Sequence, residues 1–311
     1  MPVMFKLLVL TIVALGIVFI CSILFFKRML SDIDFFTNFS RPFYDFFYTR
    51  KNIAHLRTNN FGYAPIDEEI ACYEPDLRYG LQLYKELAKD NAGYLISKED
   101  IVAEISCGKG AGAEYLVKKY MPYRYTGVDF SGKAIGFCNN YYRSIKNLEF
   151  IRADCLHLPF ADQSLNIVIN VEASHLYRDT PKFFAEVHRV LKENGRFLFA
   201  DYRCVGMCPI EKLEQEITAG GLLITRKQVV TSHILAACKQ ASQRRKELVK
   251  QAVPRFLHKY FRHYAVLEGS KKFNMMKNGE IIYMMYHIIK PGLLKEPRIL
   301  PVANKKLNNY I

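Results

Sequence analysis

The sequence predicts an α/β fold in which a parallel sheet is covered on both faces by helices. Half of the 311 residues are apolar, which is enough for a sizeable core. From residue 101 onward, continuous apolar strands alternate with helical segments, the pattern of strands that are buried on both faces. The first strand, Ile101–Ile105, ends in a turn with three glycines that leads into a helix. Such a turn, followed by a helix N-terminus, is typical of a nucleotide-binding site.

The strands are predicted from short apolar runs bounded by turn residues. They lie at Ile101–Ile105, Tyr125–Asp129, Leu148–Ala153, Leu165–Val171, Arg196–Tyr202, Leu222–Val230 and Glu280–Ile289. Helices alternate with them at Ala113–Tyr120, Lys133–Arg143, Pro181–Leu191 and Ile210–Ala219. A further helical stretch, Ile66–Asp90, precedes the sheet, and its residues Leu77, Leu81, Tyr84 and Leu87 have helical spacing.

A basic helical insertion interrupts the alternation before the last strand. Residues Ser232–Tyr264 combine many lysines and arginines with apolar side chains. An insertion at this point of an open sheet can cover the ligand crevice, so we interpret residues 231–265 as an acceptor lid within a catalytic domain of residues 96–290. The remaining residues, 291–311, form a basic tail with three prolines.

The N-terminus carries a run of twenty residues, Leu7–Phe26, that contains no charge. About 20 apolar residues span the hydrocarbon layer of a membrane, so residues 1–30 are predicted to form a transmembrane anchor. A cleaved signal peptide and a buried core helix are the alternatives. Basic residues follow the run, which places the catalytic domain on the cytoplasmic side of a single-pass protein. Residues 31–95 are predicted to be an interfacial or helical segment, because their first part is rich in aromatic side chains.

The net charge of +14 favours an anionic partner, either nucleic acid or acidic lipid headgroups. The predicted anchor favours a membrane, so we expect no nucleic acid. The eight cysteines are scattered and have no paired framework, which indicates free thiols in a reducing compartment. Cys204 and Cys208 are close together, but no second ligand pair lies near them, and no metal site is predicted.

The glycine turn fits two classes of nucleotide-like ligand. Gly108 and Gly110 are followed by Ala113, and Asp129 lies about 20 residues further on, where an acid that binds ribose hydroxyls is expected. NAD and S-adenosylmethionine (AdoMet) both satisfy this pattern, so the turn alone leaves an oxidoreductase and a methyltransferase open. Asp129 could also serve only as a cap of the next helix. Glu104 is an acid inside the apolar strand, where an unpaired carboxylate is costly unless it orders the loop or meets a cationic ligand.

Four segments in order resemble the motifs of class I AdoMet-dependent methyltransferases. They are EISCGKGAG, YTGVDFS, RADCLHLPFADQSLNIVI and FFAEVHRVLKENGRFLFADYR. Together with NVEASHLYRD and the helical insertion, they resemble the phthiotriolone/phenolphthiotriolone dimycocerosate methyltransferase group, whose members O-methylate a hydroxyl of a long-chain lipid. The resemblance implies a Rossmann-like seven-stranded sheet. Ser106 and Asn166 depart from the residues that are usual in the superfamily, a glycine and an aspartate.

The resemblance also implies which residues bind AdoMet. Glu104, Gly108 and Gly110 would line its methionine and ribose end, Asp129 would hold the ribose hydroxyls, and Asp154 with Cys155 would contact the adenine. Asn170 begins the segment beneath the sulfonium. The full set expected to bind the cofactor is Glu104, Ser106, Gly108, Gly110, Asp129, Phe130, Asp154, Cys155 and Asn170.

His175 is the candidate catalytic base, since it follows the fourth strand on the side where an acceptor would enter, and imidazole titrates near neutral pH. Its alternative role is packing, and His233 and His188 are the other candidate bases. Glu172 is predicted either to orient His175 or to bind the methionine ammonium. The expected activity is O-methylation of a lipophilic acceptor at a membrane. C-methylation of a sterol or quinone, which needs no hydroxyl-directed base, and NAD-dependent oxidation are the alternatives.

Overall fold

The computed structural model describes residues 16–22, 24, 56–90, 93–252, 255 and 258–292. The chain divides into two compact units, Met1–Phe46 and Phe47–Ile311. In the first unit, residues 16–22 and 24 are helical and their side chains are exposed. The rest of the predicted anchor at Leu7–Phe26, and the basic tail beyond residue 292, lie outside the described residues. Across the ranges that are described, no helix combines the length and the apolar character needed to cross a membrane.

A seven-stranded sheet forms the centre of the second unit. A separate antiparallel pair of two-residue strands, β1 (Lys89–Asp90) and β2 (Gly93–Tyr94), precedes it. The strands of the sheet are β3 (Ile101–Ile105), β4 (Arg124–Asp129), β5 (Leu148–Arg152), β6 (Leu165–Val171), β7 (Leu191–Cys204), β8 (Leu223–Val229) and β9 (Ile281–Ile289). The strand order is β5-β4-β3-β6-β7-β9-β8. The chain therefore leaves β3 toward one edge and returns to its other side at β6. In open α/β sheets, this reversal point opens the crevice in which ligands bind.

The sheet is mixed, and the prediction of a parallel sheet is wrong at one strand. Strand β9 pairs antiparallel with both β7 and β8, whereas the pairs from β5 to β7 are all parallel. Parallel and antiparallel central strands both bury two faces here, so they give the same continuous apolar run. The sequence IIYMMYHII of β9 consequently carries no sign of its direction.

The helices cover both faces of the sheet. They are α1 (Glu68–Ala71), α2 (Pro75–Leu87), α3 (Ala111–Tyr120), α4 (Gly132–Tyr141), α5 (Thr180–Val190), α6 (Ile210–Ala219), α7 (Thr231–Ala252), α8 (His258–Tyr264) and α9 (Lys271–Lys277). Helices α7, α8 and α9 lie between β8 and β9, so the predicted helical insertion is present. It is longer than predicted, because α9 follows it directly; Ser270 caps α9 by accepting a hydrogen bond from Phe273 N–H.

Helices α1 and α2 pack into the core of the sheet. Ile70 of α1 and Leu77, Leu81 and Leu83 of α2 are buried in the same apolar cluster as Val102 of β3. The predicted segment 31–95 therefore contributes, from residue 56 onward, to the body that carries the sheet. This packing brings the segment around residue 61 to the carboxyl edge of the strands, where it becomes part of the site described below.

Candidate functional site

The turn after β3 takes a backbone shape that requires glycine. Gly108 and Gly110 have φ angles of 56° and 74°, in the left-handed region where a Cβ is unfavourable. A Cβ at Gly110 would lie 2.8 Å from the Phe150 ring and 2.9 Å from the Tyr142 ring. Gly110 is also the residue that precedes α3, so the first turn of that helix opens directly at the end of the turn. The fixed backbone and the helix N-terminus together form a cradle for a polar ligand.

Ser106 also has a positive φ, 61°, although it is not a glycine. Its hydroxyl lies 2.6 Å from the Tyr177 hydroxyl, which also accepts a hydrogen bond of 2.8 Å from Asn170 Nδ2. Asn170 donates a second bond of 2.9 Å to the carbonyl of Ile105. This network ties the carboxyl end of β3 to that of β6. The departure of Ser106 from the expected glycine is thus accommodated by a bond that only a hydroxyl can make.

Asn170 retains an unused acceptor at the crevice between β3 and β6. Its side chain is fully buried. In the part of the chain that the structure describes, its Oδ1 atom has no hydrogen-bond partner. A buried amide oxygen without a donor is costly, so this atom indicates a place for a ligand N–H or O–H group.

Asp129 lies at the end of β4 and organises the neighbouring turn. Its Oδ2 accepts a bond of 2.9 Å from Gly108 N–H, and its Oδ1 accepts one of 2.8 Å from Ser131 N–H. Ser131, rather than Asp129, caps α4 by accepting a bond from Ala134 N–H. Asp129 therefore does not act merely as the helix cap. A carboxylate has about four lone-pair positions, so it can also receive ligand hydroxyls at this edge.

The next strand end carries the residues predicted to contact an adenine. Asp154 Oδ1 accepts a bond of 3.0 Å from Leu156 N–H, and Arg178 lies 3.7 Å from Asp154 Oδ2. Burial and the adjacent Asp154 raise the pKa of the Cys155 thiol to about 12, so this cysteine is an uncharged neighbour. Phe130 follows β4 on the same edge, with the Arg152 guanidinium 5.7 Å from its ring centre. Acidic and aromatic groups thus lie beside the cradle.

Glu104 is held by tyrosines within the core. Its two carboxyl oxygens accept bonds of 2.6 Å from Tyr84 and 2.8 Å from Tyr125. Burial raises its pKa to about 7, although both tyrosine bonds oppose the rise. The contacts join α2, β3 and β4 directly beneath the glycine turn. They supply the partners that make an acid tolerable inside an apolar strand.

His175 forms a hydrogen-bonded pair with Asp201. His175 lies in a short 3₁₀ helix after β6, and Asp201 lies near the carboxyl end of β7, which pairs with β6. His175 Nδ1 is 2.7 Å from Asp201 Oδ1, and the side chain of His175 is 17% exposed whereas that of Asp201 is fully buried. A carboxylate on Nδ1 fixes the proton there and leaves the Nε2 lone pair available.

Asp201 is kept ionised by its surroundings. Its Oδ2 accepts bonds of 2.6 Å from Ser174 Oγ and 2.9 Å from His175 N–H, and Arg203 Nη1 is 3.0 Å away. Burial opposes ionisation, but His175 and Arg203 outweigh it and lower the pKa of Asp201. This is the arrangement that orients a histidine base in hydrolases and transferases.

Glu172 is a second acid at this edge, partly buried between β6 and the His175 helix. Its φ of 48° is uncommon for a residue with a side chain. Its Oε1 accepts bonds of 2.7 Å from Phe61 N–H and 2.9 Å from the Tyr283 hydroxyl. Burial raises its pKa to about 8, against the effect of these two donors. Glu172 therefore fastens the segment around residue 61 to the sheet; the structure shows no hydrogen bond from it to His175 among the described residues.

Aromatic rings extend the site away from the cradle. The Tyr202 ring lies 4.2 Å from that of His175 and stacks on Phe61 at 5.2 Å. Lys272 of α9 places its ammonium 5.2 Å from the Tyr202 ring centre and 5.4 Å from that of Phe61. Arg245 of α7 closes this end by donating a bond of 2.8 Å to the Phe61 carbonyl. The insertion therefore reaches the residues around His175.

The alternative bases lie elsewhere. His233 Nδ1 is 2.7 Å from the carbonyl oxygen of Ala64, and its ring stacks on Tyr63, so it holds the loop before α1. The ring of His188 packs against Gly221, where an added Cβ would lie 3.0 Å from it. Of the three histidines considered, only His175 pairs with a carboxylate in the described structure.

The site also contains four residues that were not predicted from the sequence: Asp201, Tyr202, Tyr177 and Lys272. Asp201 had a signal, since it is an acid at the carboxyl end of an apolar strand, as Asp129 is. Lys272 had none, because it is one of many lysines in a basic insertion. Only the packing of α9 near Tyr202 in the folded chain brings Lys272 to the site.

Comparison with known proteins identifies the family. A model described as a methyltransferase domain matches residues 103–199, which run from β3 into β7. A phthiotriol/phenolphthiotriol dimycocerosates methyltransferase of Mycobacterium tuberculosis is 35% identical over 189 residues, 61% of this chain and 69% of that protein. A fatty-acid O-methyltransferase of Mycolicibacterium smegmatis is 28% identical over 240 residues, 75% of this chain and 83% of that protein.

A solved structure agrees with the fold. The geranyl diphosphate C-methyltransferase of Streptomyces coelicolor, in complex with S-adenosyl-L-homocysteine, superimposes with a TM-score of 0.56 at 14% identity, over 78% of this chain and 95% of that one. At this identity, the likeness speaks for the Rossmann-like architecture alone. The family model and the 35% identical relative decide between the two ligand classes that the glycine turn left open. The chain belongs to the class I S-adenosylmethionine-dependent methyltransferases, near the phthiotriol/phenolphthiotriol dimycocerosates methyltransferase group.

Proposed function

We propose that this enzyme O-methylates a hydroxyl group of a lipophilic acceptor at a membrane surface. The observation that carries the proposal is the His175–Asp201 pair, at 2.7 Å, beside the carboxyl ends of β6 and β7. A neutral alcohol is a poor nucleophile until its proton is removed, so O-methylation benefits from an oriented base. C-methylation at a double bond or enolate would call instead for stabilisation of charge on carbon.

The residues around the glycine turn fit AdoMet. The positive φ angles of Gly108 and Gly110 shape the turn without side chains, Asp129 suits the ribose hydroxyls, and the unused Asn170 Oδ1 is suited to an ammonium or hydroxyl donor. AdoMet supplies a methyl group that is made electrophilic by its attachment to a sulfonium sulfur. Asp154, Cys155 and Phe130 follow the neighbouring strands and would border the adenine.

The protein's own chemistry is positioning and proton removal. His175 Nδ1–H donates to Asp201, so His175 Nε2 accepts the proton of the acceptor hydroxyl as the new O–C bond forms. The resulting imidazolium faces the Asp201 carboxylate, which stabilises its charge. Placing the two reacting atoms in line supplies much of the remaining rate enhancement. Glu172 contributes by holding the Phe61 segment over the site rather than by contact with the base.

The lipophilic acceptor is supported by the surroundings of His175. The rings of Tyr202 and Phe61 form an apolar wall, and helices α7 to α9 cover it. Two relatives are named for lipid substrates, dimycocerosates and fatty acids. The charge-free run Leu7–Phe26 would keep this site beside a bilayer, as a single-pass anchor with the catalytic domain on the cytoplasmic side. The basic insertion would then face anionic headgroups.

Lipid profiling with an isotopically labelled methyl donor tests the proposal. Cells with and without this chain are fed labelled methionine, and their lipid extracts are compared by mass spectrometry. A labelled methoxy fragment in a lipid that appears only with the chain is the expected result. Label on a ring or chain carbon would replace O-methylation by C-methylation, and label confined to nucleic acid or water-soluble products would remove the lipid acceptor.

A further inference from the structure

Lys272 is a partly buried cation whose charge is not balanced by an ion pair in the described structure. Its ammonium lies 5.4 Å from the ring centre of Phe61 and 5.2 Å from that of Tyr202, and it donates a bond of 3.3 Å to the Tyr202 hydroxyl. Over the described residues, no carboxylate oxygen lies within 4.0 Å of it. Burial lowers its pKa, as expected for a cation that lacks an ion pair.

The acid that acts electrostatically on Lys272 makes no ion pair with it within 4.0 Å. Glu172 acts on Lys272 electrostatically, but its Oε1 is occupied by Phe61 N–H and the Tyr283 hydroxyl. Burial raises the pKa of Glu172 to about 8, which disfavours the charged form of this carboxyl. Aromatic rings attract a cation more weakly than a carboxylate does when both are desolvated. The site therefore favours an anionic oxygen brought by a ligand.

Lys272 and His175 contact the same ring. The Tyr202 ring centre is 4.2 Å from the His175 ring and 5.2 Å from Lys272 Nζ. One compact head group can accordingly reach the base with one oxygen and the ammonium with another. Exposed Lys271, the preceding residue of α9, has no such neighbour among the contacts described for this helix.

We propose that Lys272 determines acceptor specificity by binding a carboxylate that lies a few bonds from the hydroxyl that is methylated. The acceptor class is then a long-chain hydroxy acid, with the carboxylate at Lys272, the hydroxyl at His175 and the apolar chain along Phe61. The hydroxyl proton passes to His175 Nε2, the hydroxyl oxygen bonds to the methyl carbon, and the methyl–sulfur bond of AdoMet breaks with its electron pair left on sulfur; the carboxylate is unchanged. This inference rests on the proposed function, since it assumes a hydroxyl acceptor.

The test compares three probes with the full-length chain in detergent micelles: 3-hydroxyhexadecanoate, its neutral amide and 1,3-hexadecanediol. We expect the wild type to prefer the acid to both neutral probes. Lys272→Met should lower kcat/KM for the acid about 10- to 100-fold, mainly through KM, because a charge-assisted hydrogen bond is lost. The same variant should change the values for the neutral probes about twofold or less, and Lys272→Arg should retain the preference.

Controls separate specificity from folding. Lys271→Met should behave as the wild type, and binding of S-adenosylhomocysteine should be the same for all variants. Independently of any variant, hexadecanoate should inhibit methylation of the diol competitively, whereas hexadecanamide should not.

Three outcomes would overturn the inference. They are equal losses for acid and amide in Lys272→Met, a wild type without preference for the acid, and a product whose label is released by alkaline ester hydrolysis. The last outcome would mean that the carboxylate, rather than the hydroxyl, is methylated. It would therefore contradict the proposed hydroxyl acceptor as well. Methyl ethers formed equally by wild type and Lys272→Met from all three probes would leave the proposed function standing and remove only the role of Lys272.

Discussion

The two halves of the site are built in different ways. The cofactor half is a backbone structure: a dozen consecutive residues from β3 into α3 fix its shape through the φ angles of Gly108 and Gly110. The acceptor half is a side-chain structure: Phe61, His175 and Tyr202 come from three distant parts of the chain and meet only after folding. The first half can serve any AdoMet-dependent reaction, whereas the second selects the acceptor. Substitutions in the acceptor half should therefore lower kcat, whereas substitutions in the cofactor half should lower stability and cofactor affinity.

The strongest test breaks the acceptor half while leaving the cofactor half intact. Asp201→Asn keeps the size of the side chain but removes the charge that orients His175 and stabilises the imidazolium. We expect kcat to fall about 10²–10⁴-fold, the usual contribution of a general base. His175→Ala should lose a similar factor. Steady-state kinetics with calorimetric binding of S-adenosylhomocysteine checks this, and the affinity for that ligand should stay within about twofold of the wild type.

His157→Gln is the matched control, because His157 is exposed and outside the pair. Its kcat should equal that of the wild type. If Asp201→Asn weakened cofactor binding as much as it lowered kcat, the separation of the two halves would be wrong. A kcat that survives His175→Ala would remove the base assignment.

The second test breaks the cofactor half. In Gly110→Ala, the new Cβ would lie 2.8 Å from Phe150 and 2.9 Å from Tyr142, in a left-handed backbone conformation. Strain of the backbone and overpacking together should cost about 2–5 kcal/mol of folding stability. Cofactor affinity should fall as well, because the turn must shift. Thermal unfolding and calorimetry measure both effects.

Gly136→Ala provides the control, since a Cβ there meets no atom within 4 Å on the surface of α4. This variant should be as stable as the wild type or more stable by up to about 1 kcal/mol. Equal stability of Gly110→Ala and Gly136→Ala would show that the turn does not depend on glycine at position 110.

The cofactor half could be predicted from the sequence because the backbone conformation of its turn requires glycine at particular positions. Only glycine tolerates the conformation at Gly110 beside two rings, so this requirement can be recognised in the amino-acid sequence. Asp129 was predictable for a similar reason, as an acid at the end of an apolar strand. Most strands and helices were also predicted to within a few residues, since their apolar runs are long.

The acceptor half was only partly predictable. His175 stood out by its residue type, but the sequence did not indicate that it pairs with Asp201, which is 26 positions away along the chain. Of the two roles predicted for Glu172, orienting His175 or binding the methionine ammonium, the first has no hydrogen bond in the described structure, where Glu172 bonds to Phe61 and Tyr283 instead. Such contacts depend on strand order, and the antiparallel direction of β9, which brings Tyr283 to this edge, was itself predicted wrongly.

The third test uses pH to probe the junction between the halves. Because burial raises the pKa of Glu172 to about 8 in the folded protein, the unfolded chain, with a pKa of about 4.3, loses this proton first as pH rises. The protonated carboxyl therefore contributes stability at low pH that is lost as pH rises toward 8. Glu172→Gln keeps the acceptor oxygen for Phe61 N–H and removes the titration.

Denaturant unfolding at pH 5, 6.5 and 8 compares the two proteins. The wild type should lose stability relative to Glu172→Gln with rising pH, by up to about 1.4 kcal/mol per pH unit. Glu104, with a pKa raised to about 7 by burial, titrates in both proteins and cancels in the difference. Parallel profiles, or a gain in stability of the wild type relative to Glu172→Gln at pH 8, would contradict a raised pKa of Glu172.

The smallest effect on stability should come from Ser106, whose role depends on both its backbone conformation and its side chain. Ser106 has the positive φ of a turn glycine, yet its hydroxyl bonds to Tyr177, which in turn bonds to Asn170. Ser106→Gly relieves about 1–2 kcal/mol of backbone strain and loses a hydrogen bond worth about 0.5–1.5 kcal/mol, so stability should change by about 1 kcal/mol or less. Ser106→Ala keeps the strain and loses the bond, so it should be the less stable of the two variants. If Ser106→Ala matched the wild type, the bond to Tyr177 would contribute nothing, and the serine would have no structural advantage over glycine at the start of this turn.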